Sequence, residues 1–180
     1  MVLDPAIGTL TVAAVALLFA SAAAHKLRDL RQFDEIFSAY GLMPQTIGVR
    51  ISRLVPILEI AVAAGLAIKD SRPYAAALGI MLLSAYACAI AVNLRRGRRD
   101  LACGCGGPDE RRRISAWMVW RNMLIALAVA IVFVPWADRP LSLTDGLTIA
   151  FGLPTIALIY LCIDQLLGNA QRTAQMWGSR

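Results

Sequence analysis

The chain has 180 residues, of which 58% are apolar and 17% are charged, and its mean hydropathy is +0.62. Soluble domains contain about 45 to 50% apolar and about 25% charged residues, so this composition argues against an ordinary water-soluble domain. The net charge of +6 does not indicate nucleic-acid binding, because the sequence has no basic recognition helix or stacking motif. We therefore expect a protein embedded in the lipid bilayer, in which the excess of basic residues determines the orientation of the chain across the membrane.

Long uncharged stretches predict the membrane crossings. A helix crosses the hydrocarbon core in about 17 to 25 residues, and four stretches combine such a length with little charge. A fifth stretch is short and carries Glu59, with Arg53 before it and Lys69 after it, so hydropathy alone leaves it open. With this stretch included, the predicted spans are about 5–24, 52–69, 73–94, 116–136 and 146–164.

The distribution of basic residues decides between four and five crossings. With five crossings, 3 of the 18 basic residues fall on one side of the membrane and 14 on the other, and Arg121 lies within the fourth span. Without the second crossing, the two sides carry 8 and 9 basic residues. Only the first arrangement has the excess of Lys and Arg that marks cytoplasmic loops. The sequence thus predicts a single polytopic domain over 1–180, an all-α multi-pass protein of the cell (cytoplasmic) membrane, with its N-terminus outside and its C-terminus in the cytoplasm.

The segment after the first span has the periodicity of an amphipathic helix. Apolar residues recur every three or four positions over about 27–40, and the other face is mostly charged. Gly41 and Pro44 follow and end the pattern. We expect an interfacial helix in the headgroup layer, the alternative being an ordinary solvated connector.

Small residues at four-residue spacing predict places where helices approach each other closely. One pair, Ala75 with Gly79, lies in the third span, and another, Gly146 with Ala150, lies in the fifth. Such pairs let helix backbones pack together in membranes. We expect both pairs to mark helix contacts.

The loop at 95–113 carries the most informative residues. Cys103 and Cys105 are one residue apart, and the intervening glycine gives the backbone the freedom that a very small disulfide ring needs. A strained ring is easily reduced, which suits a disulfide that cycles. Seven arginines in the loop favour the reactive thiolate. The alternative is a flexible loop whose two cysteines are incidental.

The two remaining cysteines lie near the same side of the membrane once the spans are placed. Cys88 is about 7 Å inside the end of the third span, and Cys162 is about 3 Å before the end of the fifth. With Cys103 and Cys105 they could relay electrons between a loop pair and a membrane pair, or form a four-thiolate metal site. Otherwise Cys88 and Cys162 act as small apolar residues.

Glu59 is the one acid well inside a predicted span, where an ionisable side chain is costly without a partner. Candidate partners at the same depth are Lys26 and His25 at the end of the first span, Arg53 on the same helix, and Arg121 with Asn122 near the start of the fourth span. The simpler interpretation is a structural ion pair that clamps the helices together. The other is a proton relay next to the thiols.

Several motifs resemble the methylamine utilisation MauE family, within the larger group of DoxX-like membrane proteins. The specific part is the Cys-Gly-Cys-Gly sequence at 103–106, which follows the arginine-rich end of the third span. The other matching segments lie at 24–27, 40–44, 56–59, 93–99, 114–117 and 121–122. The resemblance implies a DoxX-like bundle of four transmembrane helices plus a fifth, C-terminal transmembrane helix.

The same resemblance implies a thiol–disulfide redox protein that works with a thioredoxin-like, MauD-like partner. Such a pair supports maturation of a client protein with disulfides, the small subunit of methylamine dehydrogenase. Cys103 would attack or be attacked and Cys105 would resolve, while Lys26, Glu59 and Arg121 match polar positions of the bundle. A quinone is the candidate electron acceptor or donor, and no metal is assigned.

Two questions stay open at this level. The predicted topology puts Cys103 and Cys105 in the cytoplasm, where thiols are kept reduced, although disulfides of a secreted client need oxidising power outside. Either electrons cross the membrane or the topology is inverted. The rival function is a non-enzymatic scaffold or small-solute transporter subunit, in which the cysteines are passive and Glu59 with Lys26 forms the polar centre.

Overall fold

The computed structural model describes residues 2–104 and 113–178, with side chains described up to residue 170 and at 173. This part of the chain is all-α and contains only two isolated β-bridges, which confirms the all-α part of the predicted fold class. The helices are α1 Pro5–Arg28, α2 Leu30–Ala39, α3 Gln45–Ala67, α4 Arg72–Arg95, α5 Ala116–Val129, which continues as a 3-10 turn over Ala130–Phe133, and α6 Leu143–Gly178.

Four of the described helices are long and apolar enough to cross a membrane. They comprise Pro5–Arg28, Arg72–Arg95, Ala116–Phe133 and Leu143–Ala170. Helix α3 has 23 residues and is therefore about 34 Å long, comparable to the thickness of the hydrocarbon core. It carries Arg50, Arg53 and Glu59 and is not among the four. The structure thus has the helices of a multi-pass membrane protein.

Local capping explains where the first two helices begin and end. The Asp4 carboxylate accepts a hydrogen bond from the Ala6 amide at 2.8 Å, and Pro5 occupies the first turn. Helix α1 continues to Arg28, so the expected start of the amphipathic helix at residue 27 is wrong. Asp29 interrupts the helix with φ −139° and caps α2. Gly41, with φ +60°, follows α2 in the left-handed conformation that suits glycine.

The core lies between α1, α3, α4 and α5. Its most buried large side chains include Phe19, Val62 and Leu66. Helices α3 and α4 approach closely, since a Cβ atom on Gly65 would lie 2.7 Å from the Ala75 Cβ and one on Gly79 would lie 3.2 Å from Val62 Cγ1. The contact expected at Ala75 and Gly79 is therefore confirmed.

Helix α6 packs on the bundle through α1 among the helices of the described chain. The helix contact expected at Gly146 and Ala150 is wrong, because a Cβ atom on Gly146 would meet nothing within 4 Å. The helix is longer than the predicted fifth span: its 36 residues extend about 54 Å, whereas the hydrocarbon core is about 30 Å thick.

The N-terminus, the turn between α3 and α4 and the connection from α5 to α6 lie together at one end of the bundle. The Leu3 amide donates to the Pro135 carbonyl at 2.9 Å, and the Ala137 amide donates to the Leu3 carbonyl at 2.8 Å. The Arg72 guanidinium lies 5.1 Å from the centre of the Trp136 ring. We call this the clasp end, and the opposite end, which holds α2 and Cys103, the thiol end.

Candidate functional site

Arg98 fixes the start of the cysteine-containing loop at 95–113, which we call the thiol loop, to the end of α2. Its Nη2 donates to the Ala39 carbonyl at 2.7 Å, and its Nη1 donates to the Tyr40 carbonyl at 3.1 Å and to Asn93 Oδ1 at 3.2 Å. The two carbonyls belong to the last turn of α2, which has no further helical amides to satisfy them. Arg98 therefore joins α2, the end of α4 and the thiol loop.

Cys103 is held against α2 by its backbone. It is disulfide-bonded, and its carbonyl accepts a hydrogen bond from the Tyr40 hydroxyl at 3.3 Å. Burial raises the pKa of Tyr40 to about 12, so the phenol remains a donor at neutral pH. Gly104 has φ +65°, and a Cβ atom there would lie 2.9 Å from Ile36 Cγ2. Glycine thus satisfies both the conformation and the close approach.

A small apolar cavity lies beneath Cys103, and we call it the thiol pocket. It has a volume of about 70 Å³. Its lining includes Cys103, Phe33, Tyr40, Tyr86 and Lys26. The disulfide-bonded cysteine and the buried Lys26 thus line the same cavity, together with aromatic rings.

Lys26 and Glu59 form a buried ion pair next to the thiol pocket. The Lys26 Nζ lies 2.6 Å from Glu59 Oε1, and the two side chains are only 4% and 1% exposed. The Tyr86 hydroxyl donates to the same carboxylate oxygen at 2.9 Å. Lys26 Nζ also lies 5.4 Å from the centre of the Phe33 ring and 5.6 Å from that of Tyr86. The pair therefore links α1, α3 and α4, and Lys26 reaches both Glu59 and the aromatic wall of the thiol pocket.

Arg121 pairs with a residue that the sequence did not single out. Its Nη1 lies 3.3 Å from Asp164 Oδ1, and both side chains are largely buried. The expectation that Arg121 is a partner of Glu59 is not met in the described structure; instead this ion pair joins α5 to α6. The sequence does contain a feature that could have identified Asp164: it ends the last apolar stretch, at about the same predicted depth in the membrane as the other polar-cluster residues.

The four predicted polar residues, His25, Lys26, Glu59 and Arg121, line one cavity of about 120 Å³, which we call the polar cavity. Asn122, which the sequence named only as a candidate partner of Glu59, lines it too and is 3% exposed. Among the described residues, Glu59 Oε2, Arg121 Nε and Asn122 Nδ2 are buried without a hydrogen-bond partner. Three of the residues that line the cavity thus carry a buried side-chain atom without a partner, an acceptor on Glu59 and donors on Arg121 and Asn122.

Comparison with known proteins decides the family. The family model of methylamine utilisation protein MauE matches residues 4–135. The chain belongs to the MauE family. It is 36% identical to methylamine utilization protein MauE of Paracoccus denitrificans over 89% of this chain and 87% of the relative, and 32% identical to that of Methylophilus methylotrophus over 93% and 90%. No solved structure matches the chain.

Membership in the MauE family confirms the resemblance drawn from the sequence motifs. The matched residues contain Cys103, the Lys26–Glu59 pair and Arg121. They end before α6, so Cys162 and Asp164 lie outside the family model.

The structure of this MauE-family chain does not bring the remaining cysteines together. Cys88 and Cys162 are free and exposed. They lie on α4 and α6, between which no Cα atoms approach within 8 Å, whereas a disulfide needs Cα atoms within about 7 Å. Cys105 lies outside the described residues. Within the described ranges no group of three or more His, Cys, Asp or Glu residues is placed to hold a metal ion.

Proposed function

We propose that this chain is a membrane thiol–disulfide exchange protein that supports maturation of methylamine dehydrogenase. The observation that carries the proposal is the disulfide-bonded Cys103, docked by Tyr40 and Arg98 at one end of the bundle. Cys105 is the proposed partner in that bond. The printed names of the relatives supply the connection to methylamine utilization.

In the proposed exchange a thiolate of a thioredoxin-like, MauD-like partner attacks the Cys103–Cys105 disulfide. One sulfur forms a mixed disulfide with the partner and the other leaves as a thiolate. A second partner thiol then resolves the mixed disulfide, so the partner becomes oxidised and the loop becomes a dithiol. Exposed arginines flank the described part of the loop and favour the thiolate form; they include Arg95, Arg96, Arg99 and Arg113.

Helix α3 is the proposed fifth crossing, which sets the orientation of the chain. With it, the clasp end lies outside and the thiol end in the cytoplasm, in agreement with the excess of basic residues at the thiol end. Electrons taken from cytoplasmic thiols would then have to cross the membrane to reach a secreted client. The client proposed here is the small subunit of methylamine dehydrogenase.

Cys88 and Cys162 have no place in the proposed exchange, because their helices do not meet. They therefore provide matched controls. Cys103→Ser and Cys105→Ser, singly or together, should abolish growth on methylamine in a strain that lacks its own copy, with membrane insertion unchanged. Cys88→Ser and Cys162→Ser should support growth. Growth of the double loop variant at the wild-type rate would refute the proposal.

Sidedness is tested separately by labelling with a membrane-impermeant thiol reagent after reduction. In intact cells Cys103 and Cys105 should stay unlabelled, whereas in inverted membranes they should react. Labelling in intact cells would reverse the proposed orientation and leave the exchange chemistry in place.

The second candidate is a non-enzymatic scaffold or a small-solute transporter subunit. It is favoured by the buried Lys26–Glu59 pair, which joins three helices without using a thiol. Under this alternative, Glu59→Gln should impair growth on methylamine more than the loop substitutions do. Comparing the two sets of variants at equal membrane content distinguishes the two functions.

A further inference from the structure

A second, larger space lies next to the polar cavity. This space has a volume of about 470 Å³ and lies between α1, α5 and α6; we call it the lipid groove. Most of its lining is aliphatic, with Leu17, Leu124 and Ile156 among the residues. The groove and the polar cavity share five lining residues: Leu18, Ser21, Ile125, Tyr160 and Leu161. A polar space and an apolar space therefore lie side by side and share one wall.

The unpartnered atoms of the polar cavity indicate a ligand that both donates and accepts hydrogen bonds. Asn122 Nδ2 and Arg121 Nε require acceptors, and Glu59 Oε2 requires a donor. A buried polar group without a partner destabilises the protein, and an apolar molecule in this cavity would leave these groups unpaired. A head with a carbonyl or hydroxyl oxygen at each end of a ring meets both requirements.

The charges around the cavity favour an uncharged head. Lys26 is paired with Glu59 and Arg121 with Asp164, so neither cation is left to neutralise a phosphate group. Arg121 also lies about 8 Å along α5 from its first residue, and it is therefore inside the helix and not at its end. A phospholipid headgroup would thus lose its hydration without gaining an unpaired cation.

We propose that the polar cavity and the lipid groove together bind an isoprenoid quinone, with its head in the cavity and its tail in the groove. The volume of about 120 Å³ is of the order of the roughly 150 Å³ cavity that holds a benzene ring in another protein. A quinone carbonyl would accept from Asn122 Nδ2, and a quinol hydroxyl would donate to Glu59 Oε2.

The identity of the ligand as a redox partner rests on the proposed thiol exchange. In that reaction the Cys103 and Cys105 thiols lose two electrons and two protons as the S–S bond forms, and the quinone takes up both electrons and both protons as it becomes a quinol. Lys26 and Tyr86 line both the thiol pocket and the polar cavity. The cysteine and the quinone head are thus separated by these two side chains.

Binding of a decyl-substituted benzoquinone to the purified full chain in nanodiscs tests the site. Asn122→Leu keeps the side-chain size and removes the donor, so we expect an affinity about tenfold lower. Without quinone this variant should melt no lower than the wild type, because it removes an unsatisfied buried amide. Equal affinity of Asn122→Leu and the wild type would refute the role of the polar cavity.

The groove is tested with a matched pair of substitutions on α6. Ala157 lines the lipid groove, whereas Leu158 is 62% exposed and is not part of its lining. Ala157→Trp should fill the groove and weaken quinone binding at least tenfold, and Leu158→Trp should bind as the wild type does. Unchanged binding in both variants would indicate unspecific partitioning into the bilayer and would overturn the proposal. In detergent without lipid, displacement of the quinone by phospholipid at equal concentration would overturn the proposal in favour of a lipid.

Failure of this inference and failure of the proposed function are distinguishable. Reduction of the loop by dithiothreitol and its reoxidation by a soluble disulfide report on the thiols without quinone. If the loop disulfide can be reduced and reoxidised but the quinone does not bind, the exchange function is supported and the quinone site is refuted. If the quinone binds and the double loop variant still supports growth, the site stands and the exchange function falls.

Discussion

The two ends of the bundle use ion pairs of similar geometry in opposite environments. Near the thiol end, Lys26 and Glu59 lie 2.6 Å apart with 4% and 1% of their side chains exposed. At the clasp end, Arg139 lies 2.6 Å from Asp145 and 2.9 Å from Asp4, and the Arg139, Asp4 and Asp145 side chains are 38%, 43% and 13% exposed. The distance between the charged atoms therefore does not indicate how much each pair contributes to stability, whereas the burial of the side chains does.

Burial matters because it determines what is lost when one partner is removed. An exposed charge regains its hydration, so exposed pairs contribute little to stability. A buried charge without its partner has no water to replace it, and the loss is large. The clasp end also has backbone hydrogen bonds between Leu3 and the segment 135–137, which do not depend on any side chain. We expect the two ends to respond very differently to the same kind of substitution.

The largest expected effect comes from breaking the buried pair. Lys26→Met leaves Glu59 charged and buried beside the Tyr86 hydroxyl, and should reduce the free energy of unfolding by about 3 to 5 kcal/mol. Thermal unfolding of the purified protein in detergent, followed by circular dichroism, measures the loss.

The control for this prediction removes both charges. Lys26→Met combined with Glu59→Leu replaces the pair by apolar side chains of similar size, which is often neutral for stability. The double variant should therefore regain most of the lost stability. If it is as unstable as Lys26→Met alone, the pair contributes through contacts other than charge neutralisation.

An intermediate effect is expected where Arg98 docks the thiol loop. Arg98→Ala removes three charge-assisted hydrogen bonds, partly exposed to solvent, and should cost about 2 kcal/mol. The consequence should be local, so dithiothreitol should reduce the disulfide at Cys103 faster while α1 and α3 keep their hydrogen-exchange protection.

Arg96→Ala, two residues earlier at an exposed position, is the matched control for the docking of the loop. It removes a positive charge near Cys103 and should leave the loop in place. If both variants accelerate the reduction equally, the effect is electrostatic and Arg98 does not act by docking.

Sequence reasoning succeeded where a local pattern controls the structure and failed where three-dimensional neighbours decide. The predicted pairing of Glu59 with Lys26 is confirmed, because few charges lie at that depth and an isolated one is costly. The partner of Arg121 was wrong, since choosing between Glu59 and Asp164 requires the position of α6 relative to α5. The two pairs of small residues also have the same spacing in the sequence and differ only in their neighbours. Ala75 and Gly79 face α3, whereas Gly146 faces open space.

The candidate site shows the same division. Cysteine spacing identified the loop, but not its docking contacts, which reach a distant segment. The Tyr40 hydroxyl contacts Cys103, 63 positions away, and Arg98 of the loop contacts the Tyr40 carbonyl, 58 positions away. The sequence named Asn122 as a candidate partner of Glu59. It could not show that the amide lacks a partner, because a buried asparagine looks the same whether or not its hydrogen bonds are satisfied.

The smallest effect is expected at the clasp end, with Arg139→Gln. Hydrogen bonds from Arg139 hold the pKa of Asp4 below its ordinary value of 3.8. A carboxylate with a lowered pKa stabilises the folded state above its unfolded pKa, and this contribution is lost as the pH falls through the folded value. The melting temperatures of wild type and Arg139→Gln should therefore differ slightly at pH 7 and converge well below pH 3.8. High salt should also reduce the difference at pH 7, since these groups are exposed. A decrease as large as that of Lys26→Met would contradict the ranking of the two ends by burial.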